Sequence, residues 1–376
     1  LYVGGGLGPS PQVAQLLEGF TPADDLLVTI AAIVRVFDRT GNRDNKNLAR
    51  LKFVIRNVGM DKFRDLVLKE REGLRGVLAG KIPPVIVPAE TSRPAPAGAE
   101  YAGAPNGDPE YRKWWITNVR PQKQAGYSMV NVHLTLGDVT GQQLRVLSFV
   151  ARQFGDGWVR TTNQQNFLFR WIPNSRLAAV YRLLKGTSLA DPSADRLADI
   201  TACPGADTCQ LGITSSRGLA LAIGEIFRNG HAHLADEAGF RIKISGCPNS
   251  CGHHHIAGIG FSGGSREFDK RQVPTYQVFL GASLDFGATK YARPTVKVPA
   301  KNAPALVGRL LDLWQAERLE GEKFEIFVER VGLPRIREAV KDLTDLPPQA
   351  QAPEKYLDWG GTEQFKVQTG VGECAS

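Results

Sequence analysis

Two short stretches with cysteines decide how this chain is interpreted: ITACPGADTCQLG, residues Ile200 to Gly212, and KISGCPNSCGHHH, residues Lys243 to His255. They hold four of the five cysteines in the chain, and proline and glycine stand close to the cysteines in both. Proline and glycine favour tight turns, so each stretch is predicted to be a loop that presents two thiols. The question is which group requires four thiols on two loops.

The spacing of the cysteines narrows the choice. Five residues separate Cys203 from Cys209, three separate Cys247 from Cys251, and 37 lie between the two pairs. Structural disulfides are rare in cytosolic proteins, and zinc sites usually place about two to four residues between paired ligands, which fits only the second pair. An iron–sulfur cubane is bulkier than one ion and can be reached from both loops. Spacing therefore favours a cluster, with zinc and disulfides as the alternatives.

The composition is that of a globular protein. Its 376 residues are 42% hydrophobic and 22% charged, which suits two or three domains with buried cores. The longest apolar run, Leu26 to Val34, is about half as long as a membrane-spanning helix. The formal net charge is +8, but acidic residues are interspersed with the basic ones. This mixture favours a solvated surface over an acidic partner. Since no secretion signal is recognisable and the first residue is not Met, we expect a cytoplasmic protein whose beginning is missing.

Periodicity and turn residues divide the chain into five segments. Residues 1–81 have an apolar start, three glycines and two helical patterns, which are typical of part of an α/β domain. Residues 82–110 hold seven prolines and are predicted to be an extended linker. Residues 111–187 have the order strand, helix, hairpin, helix of a ferredoxin-like unit. Residues 188–345 combine both cysteine stretches with helix and strand patterns of an α/β domain, and residues 346–376 are predicted to be an irregular surface arm.

Both cysteine stretches resemble, in order and separation, the cluster motifs of the nitrite and sulfite reductases that carry siroheme coupled to a 4Fe-4S cluster. The second ferredoxin-like half of that family has an Arg-x-Thr-x-x-Gln-Asn hairpin, which is similar to VRTTNQQNFLF at residues 159–169. The end of its first large domain is similar to VGGGLGPSP at residues 3–11 and NRDNKNLARLKFVI at residues 42–55, and a common chain end is similar to GVGECAS at residues 370–376. The resemblance covers nearly all of the chain, which is similar to the last two thirds of a full reductase.

The resemblance implies the fold class α+β (α/β). Residues 111–187 would be the nitrite/sulfite reductase ferredoxin-like domain, and residues 188–345 would be the siroheme and 4Fe-4S binding domain. Residues 1–81 would be the C-terminal remnant of a first siroheme-type α/β domain. The linker and the C-terminal arm complete this arrangement.

The resemblance also implies the ligands. Cys203, Cys209, Cys247 and Cys251 would hold the 4Fe-4S cluster, and Cys251 would in addition be the proximal ligand of the siroheme iron. Asn249 is a candidate donor to siroheme or to a cluster sulfur, although an Asn that only turns the loop explains the residue equally well.

The activity that the resemblance implies is the six-electron reduction of nitrite to ammonia or of sulfite to sulfide. The electron donor would be ferredoxin or a flavoprotein, and neither nucleic acid nor membrane is an expected partner. The family's distal arginines and lysines lie in parts that this chain lacks, so no catalytic acid or anion-binding lysine can be named. The alternative is an Fe–S electron-transfer or binding fragment without a competent heme pocket.

Several residues outside the cysteine pairs carry their own expectations. His253, His254 and His255 are predicted to be extended and to serve packing and hydrogen bonding near the cluster rather than proton delivery. Gly258 stands where the family often has an acidic residue. Structural or packing roles are expected for Arg160, Thr162, Trp114 and Trp115, and Cys374 is expected to be a free thiol.

Two features of the first segment have competing interpretations. The glycines Gly4 to Gly6 either turn the chain between a strand and a helix or bring amides to a siroheme carboxylate, and they lack the spacing of a dinucleotide loop. Four basic residues are predicted to face solvent rather than the macrocycle: Arg43, Lys46, Arg50 and Lys52.

Overall fold

In a computed structural model of the chain, residues 1–78, 81, 96, 105, 107–237, 239–285 and 287–370 are described. The chain divides into two compact units, residues 1–91 with 371–376 and residues 92–370. Most of the predicted linker and the predicted free thiol Cys374 lie outside the described residues. No helix in the described part of the chain has the length and apolar character needed to cross a bilayer.

The first unit is a short hairpin followed by three helices. Strand β1 (Tyr2–Val3) pairs antiparallel with β2 (Gln15–Leu16), and the helices are α1 (Ala23–Thr40), α2 (Leu51–Val58) and α3 (Met60–Leu78). The prediction that a helix starts directly after the glycines is wrong, because the chain first returns as β2. The unit has its own apolar core, to which α1 and α3 contribute side chains at helical spacing: Val28, Ala32, Val36, Phe63 and Val67.

Lys52 holds the glycine-rich loop of the first unit. Its Nζ donates to the carbonyl oxygens of Leu7, at 2.8 Å, and of Ser10, at 2.7 Å. Its side chain is buried, so the prediction that Lys52 faces solvent is wrong. Carbonyl oxygens of a turn can satisfy a buried ammonium group, and this one therefore fixes the loop in place.

The second unit begins with a ferredoxin-like arrangement. Helix α4 (Pro109–Asn118) leads into the strands β3 (Val119–Pro121) and β4 (Tyr127–Val132), and helix α5 (Gly141–Phe154) follows. The hairpin β5 (Arg160–Thr161) and β6 (Phe167–Pro173) precedes α6 (Leu177–Lys185). The antiparallel sheet has the order β3-β4-β6-β5 and shares a core with the helices. The predicted ferredoxin-like half-domain is confirmed.

A five-stranded mixed sheet follows within the second unit. Its strands are β7 (Thr201–Ala202), β8 (Ile242–Ser245), β9 (Ile259–Phe268), β10 (Arg271–Leu280) and β11 (Arg293–Pro299), in the order β11-β10-β9-β8-β7. The pairs β7–β8 and β8–β9 are parallel, and the other two are antiparallel. The helices are α7 (Ser216–Asn229), α8 (Ala303–Glu317), α9 (Phe324–Val331) and α10 (Leu333–Ala339).

Strand β8 shows how the two faces of this sheet differ. Ile242 and Ile244 belong to the large apolar core that α7 and α8 also fill. Successive side chains of a strand point to opposite faces, so Lys243 and Ser245 lie on the other face, and both are buried. The sheet thus has an apolar face and a buried polar face, and the polar face leads to the second cysteine loop.

Each unit contains the same helix–glycine–helix corner. Gly59 joins α2 to α3 at φ 84° and ψ 152°, and Gly332 joins α9 to α10 at φ 81° and ψ 147°. A second glycine supports each corner, because a Cβ at Gly4 would lie 2.5 Å from Ile55, and one at Gly281 would lie 3.0 Å from Val328. Ile55 and Val328 both stand four residues before the corner glycine. The same corner geometry therefore occurs in both units.

The C-terminal arm is anchored to the second unit. Tyr356 is fully buried and donates through its hydroxyl to the carbonyl of Pro347 at 3.0 Å. The indole N–H of Trp359 donates to the carbonyl of Ala300 at 3.0 Å. Further along, the amide of Gly370 donates to the carbonyl of Gln210, in the first cysteine stretch, at 2.9 Å. The arm thus lies across that loop as well as on the surface.

Candidate cluster site

The two cysteine loops begin at the carboxyl ends of neighbouring parallel strands. Cys203 follows β7 directly, and Cys247 comes two residues after β8. Parallel strands end at the same edge of a sheet, so the loops meet there. The Cys203 amide donates to the Ile244 carbonyl at 3.1 Å, and the Gly246 amide donates to the Cys203 Sγ at 3.2 Å. The sheet therefore brings together two pairs that are far apart in sequence.

The four cysteines are thiols rather than disulfides in this arrangement. Cys203 and Cys247 are buried, whereas Cys209 and Cys251 are exposed. Burial raises the pKa of the Cys247 thiol, the Asn249 backbone amide opposes this effect, and the negative charges of the other three sulfurs raise the pKa further. The Cys247 sulfur is thus within electrostatic reach of the other three sulfurs. Repulsion of this kind is relieved by a cationic group that all four can bind.

Glycines allow the loops to interlock through their backbones. A Cβ at Gly246 would lie 2.5 Å from the Thr214 carbonyl oxygen and 2.7 Å from the Gly205 Cα, and one at Gly212 would lie 2.5 Å from the Ala206 amide. The amides of Ile213 and Thr214 donate to the Gly246 carbonyl at 2.9 and 3.0 Å. Larger residues would push the loops apart. Gly246, where the loops approach most closely, also supplies the amide that donates to the Cys203 sulfur.

The donor set fits an iron–sulfur cluster better than a single ion. Cysteine thiolates are the ordinary ligands of a cubane, and amide donors to the sulfurs, such as that of Gly246, tune its potential. Among the described residues, no three His, Cys, Asp or Glu side chains are arranged around one metal ion. Ser250 lies beside Cys251, and its buried hydroxyl has no hydrogen-bond partner in the described chain.

The turn that follows Cys251 is tightly folded. Ser250 and His253 have φ angles of 62° and 63°, in the left-handed region. The Gly252 amide donates to the Ser245 hydroxyl at 3.1 Å, and a Cβ at Gly252 would overlap the Ile244 carbonyl. The prediction of an extended segment through the three histidines is wrong, because the bond from the Gly252 amide to the Ser245 hydroxyl and the left-handed residues fold the segment back into a turn.

The histidines of this turn pack rather than project into an open cavity. His254 and His255 are buried, and each ring lies 4.9 Å from that of Phe279. Burial lowers the pKa of His254 to about 3, so this ring is neutral at pH 7. Its Nδ1 has no hydrogen-bond partner among the described residues. The ring contacts support packing as the main role of His254 and His255. The expected hydrogen bonding is not seen at His254 Nδ1.

Asn249 contributes through its backbone. Its amide donates to the Cys247 thiol, which favours the thiolate. The residue is exposed, in the tight loop between the second pair of cysteines. This supports a role in turning the loop, and the donation of its side chain to a cofactor stays a prediction.

The ferredoxin-like hairpin docks on the strand that leads to Cys203. The side-chain amide of Gln165 donates to the Ala202 carbonyl at 2.8 Å and accepts from the Ala202 amide at 3.2 Å, so it pairs with β7 as another strand would. Thr162 accepts from the backbone amides of Gln164 and Asn166, and Arg160 forms an ion pair with Asp156 at 2.8 Å. The predicted structural roles of Arg160 and Thr162 are supported.

A buried lysine near the second loop was not predicted. Lys243 is only 4% exposed, and its Nζ donates to the side-chain carbonyl of Gln164 at 3.1 Å. Burial lowers its pKa to about 8, and nearby Arg241 contributes to the shift. The sequence does show a lysine between two isoleucines of a strand. It does not show that this lysine is buried, because the burial depends on the hairpin that carries Gln164.

A polar cluster joins the ferredoxin-like part to the cysteine-bearing part. His133 Nδ1 lies 2.8 Å from the Ser193 hydroxyl, and its Nε2 lies 3.6 Å from Asp199. Asp199 is buried and accepts from Asn166 at 2.8 Å and Arg241 at 3.0 Å. His133 also lines two neighbouring cavities, of about 930 and 260 Å³. These contacts set how the hairpin meets the cysteine-bearing domain.

Comparison with protein families agrees with this geometry. A family model described as the nitrite and sulphite reductase 4Fe-4S domain matches residues 1–75 and 193–346. A second, described as the nitrite/sulfite reductase ferredoxin-like half domain, matches residues 120–186. All four paired cysteines fall within the first match.

Individual relatives and one solved structure are similar over most of this chain. Ferredoxin–nitrite reductase of Synechococcus elongatus is 27% identical to this chain. The aligned region covers 82% of this chain and 55% of the relative. The sulfite reductase (NADPH) hemoprotein beta-component of Methylobacterium sp. is 30% identical, over 88% of this chain and 51% of its own length. The structure of Mycobacterium tuberculosis NirA protein superposes with a TM-score of 0.70 at 27% identity, over 89% of this chain and 57% of that chain. This chain thus spans about half the length of the curated relatives it matches.

Proposed function

Because the chain belongs to the nitrite and sulphite reductase 4Fe-4S family, we propose that it forms the cluster-bearing part of a reductase that delivers six electrons to nitrite or sulfite. The observation that carries the proposal is the pair of interlocked loops with four thiols at the end of one sheet. The match confirms the predicted family, the fold class and the cofactors of that family, siroheme and a 4Fe-4S cluster. Binding of siroheme by this chain alone is part of the proposal. The reduction of nitrite or sulfite by this chain is what we propose.

Four residues would hold the cluster: Cys203, Cys209, Cys247 and Cys251. By its place in the family motif, Cys251 would also bind the siroheme iron, and its exposure is compatible with this role. When bound, siroheme supplies a Lewis-acidic iron for the anion, and the cluster supplies electrons. The chain itself contributes thiolates, the Gly246 amide and a fixed loop geometry that needs no reorganisation.

The electron donor and the cellular compartment of this protein are also proposals. Relatives are named ferredoxin–nitrite reductase and sulfite reductase (NADPH), which supports either ferredoxin or a flavoprotein as the donor. Four cysteines that are not in disulfides suit a reducing compartment such as the cytoplasm.

A second candidate function is an Fe–S electron-transfer or binding module without a competent heme pocket. The observation that favours it is that four cysteine thiols on two interlocked loops are enough to hold a 4Fe-4S cluster. Both candidates use the same four cysteines. They differ in whether siroheme binds with an open coordination position.

The visible spectrum of the anaerobically purified chain tests the proposal, together with iron and acid-labile sulfide assays and an addition of nitrite or sulfite. Siroheme bands that shift with the anion, with iron and sulfide at the cubane level, are the expected result. Iron and sulfide without heme bands would support the electron-transfer module. A chain with neither cofactor, even after anaerobic reconstitution, would contradict both.

A further inference from the structure

Residues 213–216, the bridging segment, join the first cysteine loop to helix α7 and bind both cysteine loops. Two of their amides donate to the Gly246 carbonyl in the second loop, and one of their carbonyls accepts the amide of Ala206 in the first loop at 3.0 Å. The Ser216 hydroxyl donates to the Cys203 carbonyl at 2.6 Å and lies 3.4 Å from the Cys203 Sγ. The position of the bridging segment therefore determines how the two loops meet.

The start of α7, inside the bridging segment, has only half of a capping box. Ser215 is the N-cap, and its hydroxyl accepts the amide of Gly218 at 3.2 Å. In a complete capping box the residue three positions after the N-cap is Glu or Gln, and its side chain accepts the N-cap amide. Helix α5 has this complete form, with Thr140 and Gln143. In α7 the position is Gly218, which offers no acceptor to the Ser215 amide.

The C-terminal arm supplies the missing acceptor. Asp358 Oδ2 accepts the Ser215 amide at 2.7 Å, across 143 residues of sequence. The glycine also makes room for the arm, because a Cβ at Gly218 would lie 2.6 Å from the Cβ of Trp359. A single glycine thus removes the acceptor from the helix and admits the segment that replaces it.

Asp358 is held in place for this contact. Its other carboxylate oxygen accepts the amide of Trp359 at 2.8 Å. Lys301 Nζ donates to the Asp358 carbonyl at 3.2 Å and lies 4.2 Å from the centre of the Trp359 ring. On the other side, the buried Tyr276 hydroxyl donates to the Ser215 carbonyl at 3.0 Å. Both backbone groups of Ser215 are therefore bound by residues outside the cysteine loops.

We propose that Asp358 is a positioning residue for the 4Fe-4S cluster, which completes the capping box of α7 and thereby keeps the bridging segment against both cysteine loops. The inference rests on the proposed function, since it requires the cluster at these cysteines. Ser215 is buried, so its amide would be left without a partner if the carboxylate were removed. Movement of the segment towards water would relieve this cost, and it would draw Ser216 away from Cys203.

The rate at which an iron chelator removes the cluster from the anaerobically reconstituted chain, followed by the visible absorbance of the cluster, tests the role. Asp358→Ala is expected to lose the cluster at least about tenfold faster than the wild type, because a buried amide loses its acceptor. Asp358→Asn keeps an oxygen that can accept the Ser215 amide, so it is expected to restore most of the wild-type rate.

Gln272→Ala is the matched control. Gln272 Oε1 accepts the amide of Val367, also at 2.7 Å, so this variant removes a contact of the arm with strand β10, which carries no cysteine. It is expected to keep the wild-type rate of cluster loss. Denaturant unfolding of the cluster-free chains should give similar midpoints for Gln272→Ala and Asp358→Ala, which separates a local effect at the cluster from a general weakening of the fold.

Gly218→Ala tests the same contact without changing Asp358. Its methyl group would push Trp359 and the arm away from Ser215, although alanine favours the helix itself. We therefore expect faster cluster loss from Gly218→Ala. Gly224→Ala, in the same helix but with only the end of Arg228 near the new methyl group, should keep the wild-type rate.

Two results would overturn the proposal: a wild-type rate of cluster loss in Asp358→Ala, or an equal acceleration in Asp358→Ala and Gln272→Ala. If Asp358→Ala does not fold, Gly218→Ala decides, and a wild-type rate there would contradict the proposal. A wild type that holds a cluster without heme would remove the reductase proposal and leave this test valid, whereas a wild type without a cluster would remove both.

Discussion

At the residue scale, the cysteines of the two loops have different surroundings. Cys203 is buried, accepts the Gly246 amide and lies 3.4 Å from the Ser216 hydroxyl. Cys209 and Cys251 are exposed. A ligand in a buried, hydrogen-bonded position is harder to replace, because water cannot take its place.

Cys203→Ser is expected to abolish the cluster. A serine hydroxyl is a much poorer ligand for iron than a thiolate, and its buried position excludes an alternative thiol. Iron and sulfide content measures the effect, and siroheme content should fall with it if Cys251 serves both cofactors. Cys374→Ser is the control and is expected to keep both cofactors, so loss of the cluster there would contradict the ligand assignment.

Gly252→Ala is expected to reduce the free energy of unfolding by at least about 2 kcal/mol, because the new methyl group would overlap the Ile244 carbonyl. Gly224→Ala is the matched control. Gly224 lies inside α7, where a Cβ meets only the end of the Arg228 side chain at 4.0 Å, so alanine should stabilise the helix by about 0.5–1 kcal/mol. Denaturant unfolding of both variants measures the difference, and equal effects would contradict the steric argument.

At the element scale, long periodic elements were predictable and short ones were not. The two helices predicted within residues 111–187, one before and one after the hairpin, are Gly141–Phe154 and Leu177–Lys185. Strand β7 has two residues, too few to show alternation, and its pairing with β8, which lies beyond helix α7 in the chain, fixes it. The four paired cysteines were likewise predictable, because their spacing is visible in the sequence. Lys243 escaped notice because its partner Gln164 is 79 residues away.

The repeated corner gives a prediction at this scale. Gly59 and Gly332 have positive φ with ψ near 150°, a region that only glycine adopts without strain. Substitution of either by alanine should destabilise the unit concerned by about 1–3 kcal/mol. Gly73→Ala, inside α3 with no atom near the new methyl group, should instead be neutral or stabilising. Thermal unfolding of the three variants measures this, and a tolerated Gly59→Ala would contradict the strain argument.

At the scale of the whole second unit, the His133 cluster joins two parts that fold around separate cores. The residues come from β4 and its following turn, from residues 191–199 and from the start of β8. Burial alone would lower the pKa of His133, but hydrogen bonding to Asp191 and the charge of Asp199 outweigh it and raise the pKa. The junction is therefore strongest when His133 is protonated.

This junction predicts a pH dependence of stability. A raised pKa means that the folded state binds the proton more tightly than the unfolded state does, so the stabilisation is complete below about pH 6.5. It is lost as the pH rises through the folded-state pKa. The excess unfolding free energy of the wild type over His133→Gln should therefore be larger at pH 5.5 than at pH 8.5. A difference that is constant across this range, measured by denaturant unfolding, would contradict the assignment.

The helix–glycine–helix corner has a consequence for how the chain can be altered. One family model matches both corners, and the corner at Gly59 lies in a stretch, residues 1–78, that holds no cysteine. This corner therefore meets a requirement of the backbone alone. A variant of Gly59 reports on the folding of the first unit without changing the surroundings of a thiol in that stretch.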